Sequence, residues 1–427
     1  MIVLILMLSA FAVATAEFVL VGVLPEVAAD LGVSLPTAGA LVTVYMIVVA
    51  VGGPVLTVLT RRVPRGPLLV GVMALALAAA LLSAVAGSYA VLLTARVASA
   101  LAQALFMAVA SEIAMAAVPP AKQTGAVAKV FGGFAVATVI GLPVGTLVGQ
   151  AYGWHATFLL VAALAAVGLV GAIVATRNIR VENAQPPRLR ATIATLGSRQ
   201  VVLGLSVTLF TFTAFTAVFT YVAPMLSDVA GLSPRWVSAA LLIYGVGTLL
   251  GNGLAGRVPA SAIGRILPLP VAGLALLLLL QGVMLHSGVL AVVNLFALGA
   301  IGLAFAPLIQ TYLMSQAGPA AGGLAASVNI SAAGVAGALG ALLGGGVLAA
   351  DLGLDRIGLA AFVPAAAALL VTLAIRKATT SPKLSPKEAA EAATSPKLSP
   401  KEAAEAATSP KLPPTRRRAS AGTAPRR

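Results

Sequence analysis

Cysteine is absent from all 427 residues, which excludes a disulfide framework, a thiolate metal site and a cysteine nucleophile. Charge is scarce as well: only 9% of residues are charged and 60% are hydrophobic. A soluble domain carries about 25% charged residues, so an ordinary water-soluble fold is excluded. Histidine occurs twice, at His155 and His286, both in expected loops. No Gly-rich phosphate loop ends in Gly-Lys-Ser/Thr, so ATP drive is not expected. No His-Glu-x-x-His motif and no paired catalytic acids at one depth support an intramembrane enzyme.

What the chain does have is long apolar runs. Twelve fill it from Met1 to about Arg376, at roughly 2–24, 36–59, 67–86, 89–118, 124–149, 156–176, 200–226, 234–256, 263–285, 288–316, 320–349 and 356–375. A run of about twenty apolar residues spans a bilayer as a helix, and only helices or closed barrels satisfy the backbone in lipid. The pattern predicts an all-α membrane protein. Its 43 glycines suit close helix–helix contact.

The net charge of +15 invites a nucleic-acid partner, but its distribution argues against one. Twelve of the 27 Lys and Arg lie from Arg376 onward, and most others sit in alternate loops. The first connection holds Glu26 and Asp30 without a base, whereas the next holds Arg61, Arg62 and Arg65. The positive-inside rule then predicts both termini in the cytoplasm. Ala14-Thr15-Ala16 resembles a signal-peptide cleavage site, yet no Lys or Arg precedes Arg61, so cleavage is not expected.

The connection 177–199, with Pro186-Pro187, divides the apolar region into six-helix bundles at 1–176 and 200–375. The halves echo each other. Leu41 to Tyr45 leads to Gly52-Gly53 and Arg62-Val63-Pro64, and Leu241 to Tyr244 leads to Gly251-Asn252 and Arg257-Val258-Pro259. Such internal symmetry is typical of transporters built from parallel repeats. The remainder, 376–427, is a basic tail in which the segment Thr380–Ala393 recurs at Thr394–Ala407. Its Pro, Ser, Lys and Ala content predicts disorder. Arg416-Arg417-Arg418 and the lysines give it an attraction to anionic lipid.

Only Glu17, Arg96 and Glu112 place charge deep in the apolar runs. Each costs free energy there and requires a partner or a function. Glu17 and Arg96 both fall roughly 10 Å below the outer end of their helices, so a Glu17–Arg96 pair is expected. That pair is either a fixed pin or a carboxyl group that gains and loses a proton. Glu112 lies about 24 Å from Arg96 along the same helix. It reads as an interfacial acid near Lys122 or Lys129, or as a cytoplasmic gate and second proton site. In helix 5, Pro143 bends the helix, and Gly141, Gly145 and Gly149 bare one face for close packing. Tyr45, Gln103, Phe106, Thr211, Phe215, Tyr244, Gln310 and Asn329 are the polar and aromatic candidates for a substrate pocket.

Several stretches carry a family resemblance: Thr15 to Pro25, Ala95-Arg96-Val97, Gly141 to Gln150 followed by Gly153-Trp154, Phe219 to Pro224, and Gly251-Asn252. In these the chain resembles the twelve-helix drug:proton antiporters of the major facilitator superfamily, and among them bacterial arabinose/IPTG and related sugar or drug efflux proteins. The resemblance covers about residues 1–376. It implies two six-helix bundles that alternate access to a central site. It also implies that the Gly141–Gly149 run is the antiporter motif of exporters. Proton-driven export of a drug, sugar-like or nucleoside-like compound is the function implied, in a bacterial inner membrane, by a monomer without cofactor or metal. The chain departs from relatives at Arg61, where an Asp is usual, at Gln103, where some have His, and at Ala333-Gly334, where some have Asn. Gln103 takes up no proton at physiological pH, which moves that role to Glu17. The alternatives are a proton-independent uniporter or importer, and a membrane receptor or tether acting through the tail.

Overall fold

The computed structural model describes residues 2–60, 62–119, 122–176, 197–302 and 304–380. Arg61, most of the 177–199 connection and the tail repeats lie outside the described residues. Among the described residues, twelve helices are long and apolar enough to cross a bilayer. They are α1 (Ile2–Gly22), α2 (Leu35–Leu59), α3 (Arg65–Ala84), α4 (Tyr89–Ala116), α5 (Gly125–Tyr152) and α6 (Trp154–Thr176). The second half supplies α7 (Arg199–Phe219), α8 (Pro234–Ala255), α9 (Ile263–Met284), α10 (Gly288–Gly318), α11 (Val328–Ala349) and α12 (Ile357–Thr380). We term the end bearing the α1–α2 connection outer, following the charge pattern of the loops.

Local chemistry sets the boundaries. Ser88 and Ser198 cap α4 and α7 by accepting the N–H of Val91 and Val201. Helix α12 runs past its expected end at 375 to Thr380, taking in the first residues of the expected tail. Three other helices deviate from the expected spans, each near a proline, which lacks the N–H that would bond the carbonyl four residues back. Helix α1 stops at Gly22 and a short helix, Leu24–Asp30, follows with Pro25 in its first turn. Helix α7 stops at Phe219, then breaks before Val222–Pro224 and a π-turn at Met225–Val229. Helix α5 continues past Pro143 but absorbs it with a π-turn at Ala137–Gly141. The expected loop between helices 10 and 11 is a sharp kink at Gly318, whose φ of 74° and ψ of 175° suit glycine alone.

Two bundles result. In the first, α1 packs on α4, α5 and α6, α3 on α4 and α6, and α2 on α4. In the second, α7 packs on α10, α11 and α12, α8 on α10, and α9 on α10 and α12. The bundles meet along α2–α11 and α5–α8. Both seams are glycine-lined. A Cβ on Gly334 of α11 would press on Ala50 of α2, and one on Gly245 of α8 would reach the α5 backbone at Thr138 and Val139. In a bilayer the hydrophobic effect does not drive helices together, so such close van der Waals contact does.

Candidate functional site

Four polar side chains from three helices of the first bundle converge. Gln103 Nε2 on α4 donates to Glu17 Oε2 on α1 at 2.6 Å. Tyr45 on α2 donates its hydroxyl to Gln103 Oε1 at 2.6 Å. Arg96, two turns nearer the outer end of α4, donates Nη1 to the carbonyl of Ala16 at 2.5 Å and Nη2 to that of Glu17 at 3.4 Å. Its guanidinium lies 4.1 Å from the centroid of the Tyr45 ring.

The expected side-chain pair of Glu17 with Arg96 is therefore not formed. Depth brings the two residues together, but Gln103 takes the carboxylate. Arg96 is 1% exposed; two carbonyls and an aromatic face take its Nη groups and its charge, while its Nε makes no hydrogen bond. Residues 96 and 103 are seven apart, close to two turns, so both project from one face of α4 toward α1. Arg96 thus holds the backbone of α1 in place, and Gln103 holds the acid.

Next to Glu17 in the chain, Phe18 reaches an aromatic cluster of the second bundle. Phe18, adjacent to Glu17, meets Phe219 of α7 edge-on, with centroids 6.4 Å apart. Phe219 stacks on Phe215 at 5.2 Å and lies 5.1 Å from Tyr244. Phe215, Phe219 and Tyr244, with Leu295 and Leu298, line a small apolar cavity in the second bundle. The acid and the aromatic cluster thus come from opposite bundles, linked through the Phe18–Phe219 contact.

The other candidates fall elsewhere. Asn329 accepts from Thr208 at 2.6 Å and donates to Gln310 at 2.5 Å, which ties α7, α10 and α11 into one buried network. Thr211 is fully buried one turn along from Thr208, and its hydroxyl makes no hydrogen bond in the structure. Phe106 is fully buried in the core of the first bundle with Leu6, Val13 and Leu69. It lines neither cavity described here. Glu112 pairs with Arg65 at 2.5 Å between Oε2 and Nε, rather than with Lys122 or Lys129, which are exposed. That contact is ionic, while a longer bond of 3.4 Å runs from Nη2 to Oε1. It fastens the start of α3 to the inner part of α4.

Helix α5 fixes where Glu17 sits. Gly141, Gly145 and Gly149 face Thr15 and Val19 of α1 and Val23 just past its end, a row with the same four-residue spacing. Gly145 also offers its carbonyl to Thr157 of α6 at 2.8 Å. Pro143, buried beside this row, lies just beyond the π-turn that contacts Gly245.

At the outer end a cavity of about 300 Å³ lies between the bundles, lined by Gly22, Pro25, Glu26, Gln150, Ser227 and Val237 among others. Ser238 of α8 donates across the seam to Gln150 of α5 at 2.8 Å. Burial pushes the Glu26 carboxyl above its ordinary range, and the charge of Asp228 adds to the rise. Sequence reasoning missed Phe18, Arg65, Thr208 and Phe219. Only Phe18, through its place beside Glu17, carried a signal that could have marked it.

Two bundles of six helices, each long and apolar enough to cross a bilayer, enclose these polar and aromatic side chains. Residues 6–341 match the family model of the Major Facilitator Superfamily, and the chain belongs to that family. It is 33% identical to YfhI, an uncharacterised MFS-type transporter of Bacillus subtilis, over 62% of this chain and 66% of that protein. The chain thus spans just under two thirds of the length of YfhI. It is 35% identical to a chloramphenicol resistance protein of Streptomyces lividans, over 61% of this chain and 68% of that protein. Its fold is that of a bacterial homolog of the human lysosomal transporter Spinster, with a TM-score of 0.71 and 17% identity over 90% of this chain and 98% of that one. A further relative is the inner membrane transport protein YdhP of Escherichia coli, 32% identical over 60% of this chain and 66% of that protein.

Proposed function

We propose that this protein exports a small amphipathic compound in exchange for protons, and that Glu17 carries the proton. The observation that carries this reading is the chain Tyr45–Gln103–Glu17. Amide and phenol groups can each donate and accept, so rotation of the Gln103 amide accommodates either protonation state of Glu17. The aromatic cluster that Phe18 reaches, with Phe219, Phe215 and Tyr244, suits the apolar part of a substrate. The chloramphenicol resistance protein among the relatives supports export of a drug-sized aromatic amide. In this reading, residues 1–176 and 200–375 are the moving bodies and 177–199 joins them. Gly141, Pro143, Gly145 and Gly149 form the antiporter motif that seats α1, and Arg65–Glu112 is a clamp on the cytoplasmic side. Thr211, Gln310 and Asn329 belong to the polar lining of the second bundle. The protein works as a monomer.

The test is a resistance and accumulation screen in a strain lacking its own exporters, using chloramphenicol and arabinose as probes. Cells with the native chain accumulate less of at least one compound. Cells with Glu17→Gln at equal membrane levels accumulate as much as empty-vector cells. Equal export by the variant would favour a proton-independent uniporter or importer, with Glu17 as a fixed structural acid.

A further inference from the structure

The break after α7 places one aromatic ring where no helix would carry it. Pro224 ends the α-helical bonding of α7, and Tyr221 adopts φ −111° and ψ 19° between helical segments. Its side chain is fully buried. The hydroxyl donates to the carbonyl of Ala341 on α11 at 3.3 Å, within the same bundle. The ring is enclosed by glycine on both sides. A Cβ on Gly344 of α11 would lie 2.7 Å from Tyr221 Cε2, and one on Gly345 would lie 2.8 Å from its hydroxyl. Across the seam, a Cβ on Gly39 of α2 would overlap the same hydroxyl and lie 2.9 Å from Cε1. Gly39 belongs to the first bundle, so this one ring bridges both bundles at their outer ends.

We propose that Tyr221 is the outer gate of the transporter: seated among Gly39, Gly344 and Gly345, its ring holds the outer ends together and must leave Gly39 for the site to open outward. The division of contacts makes this reversible. The hydrogen bond to Ala341 lies within the second bundle and travels with it. What separates on opening is the ring from Gly39, a contact of van der Waals type that costs no buried hydrogen bond. A glycine at position 39 is what lets the closed state form, because ordinary van der Waals distance leaves no room there for a methyl group. The inference rests on alternating access and is independent of proton coupling at Glu17.

The chain contains no cysteine, so paired labels can be introduced without removing any. Tyr152 and Val289, 81% and 75% exposed at the outer ends of α5 and α10, supply one site on each bundle. Spin labels at Tyr152→Cys and Val289→Cys, read by pulsed electron resonance in lipid nanodiscs without substrate, report the outer separation. Gly39→Ala is expected to raise the ratio of the longer to the shorter distance roughly tenfold, the usual scale of overpacking by one methyl group. Tyr221→Ala is expected to raise it similarly, and Tyr221→Phe, which keeps the ring, less than about threefold. In the Tyr221→Ala background, Gly39→Ala should add less than about twofold, because its collision partner is gone. A distribution unchanged by Gly39→Ala, or an equal shift with and without Tyr221, overturns the proposal. Should Gly39→Ala fail to insert, the tyrosine series decides alone: identical distributions for Tyr, Phe and Ala at position 221 overturn it.

Discussion

Glu17 depends on Gln103, and Gln103 depends on Tyr45, so the site acts as a unit. Gln103→Leu removes the donor from Glu17 and the acceptor from Tyr45 at once. Leaving buried polar groups unpaired costs about 1–3 kcal/mol each. The variant is expected to insert normally and to lose at least about tenfold in transport rate, measured as counterflow in vesicles. Tyr45→Phe, which removes only the outer link, should lose less. Glu26 offers a second residue-scale test. Its pKa is raised by burial at the closed outer end and by Asp228. The closed state therefore binds this proton more tightly than a state that exposes the acid. Its penalty is absent below the ordinary carboxylate range and grows as pH rises through the raised value. Raising the pH should thus shift the Tyr152–Val289 label distances toward the open form, and Glu26→Gln should flatten that dependence. A pH response equal in both proteins would remove Glu26 as its source. At this scale the sequence was informative about depth but blind to direction around the helix axis. Counting residues put Glu17 and Arg96 at one level, which the structure bears out. Which of Arg96 and Gln103 reaches the carboxylate turns on side-chain angle and on competing carbonyls, which no spacing encodes.

Among the helices, α5 shows most clearly how small residues set position. Its glycine row meets Thr15, Val19 and Val23, so α1 lies against α5 at backbone distance. Gly145→Leu would drive its side chain into Val19 and displace the turn that bears Glu17. The variant is expected to insert yet retain under about a tenth of wild-type transport, since overpacking strains neighbours by about 1–3 kcal/mol or more. Normal transport by Gly145→Leu would show that this contact is loose. The helices themselves were legible because length and apolarity suffice to recognise them. Their interruptions were not. Pro25, Pro143 and Pro224 were visible, but a proline in a membrane helix ends it, bends it or is absorbed in a π-turn according to its neighbours. The kink at Gly318 was read as a loop because a single residue with positive φ reverses the chain without any polar segment.

For the molecule as a whole, the two bundles join along seams where glycine from one faces backbone or small side chains of the other. Such close contacts are of van der Waals type, and the Ser238–Gln150 hydrogen bond adds one polar tie across the α5–α8 seam. The repeat echo around Tyr45 and Tyr244 pointed to this symmetry. It also showed how symmetry diverges: Tyr45 serves a hydrogen-bond chain, and Tyr244 stands in an aromatic cluster. The basic tail takes no part in this account. Its Lys and Arg contribute roughly 1 kcal/mol each where they lie against anionic lipid. A chain ending at Ala378 is expected to insert and to transport within about twofold of the full chain, a loss of under 0.5 kcal/mol. Loss of transport at normal membrane levels would give the tail a part in the cycle.

The central claim is that substrate moves one way as protons move the other, through Glu17. The direct measurement is proton flux in reconstituted vesicles carrying a trapped pH dye, with no imposed gradient, on addition of whichever probe the accumulation screen identifies. The account predicts a substrate-dependent pH change with the native protein and none with Glu17→Gln, although the variant still binds the probe. A pH change of equal size in both proteins, or probe uptake by the native protein without any, would contradict it.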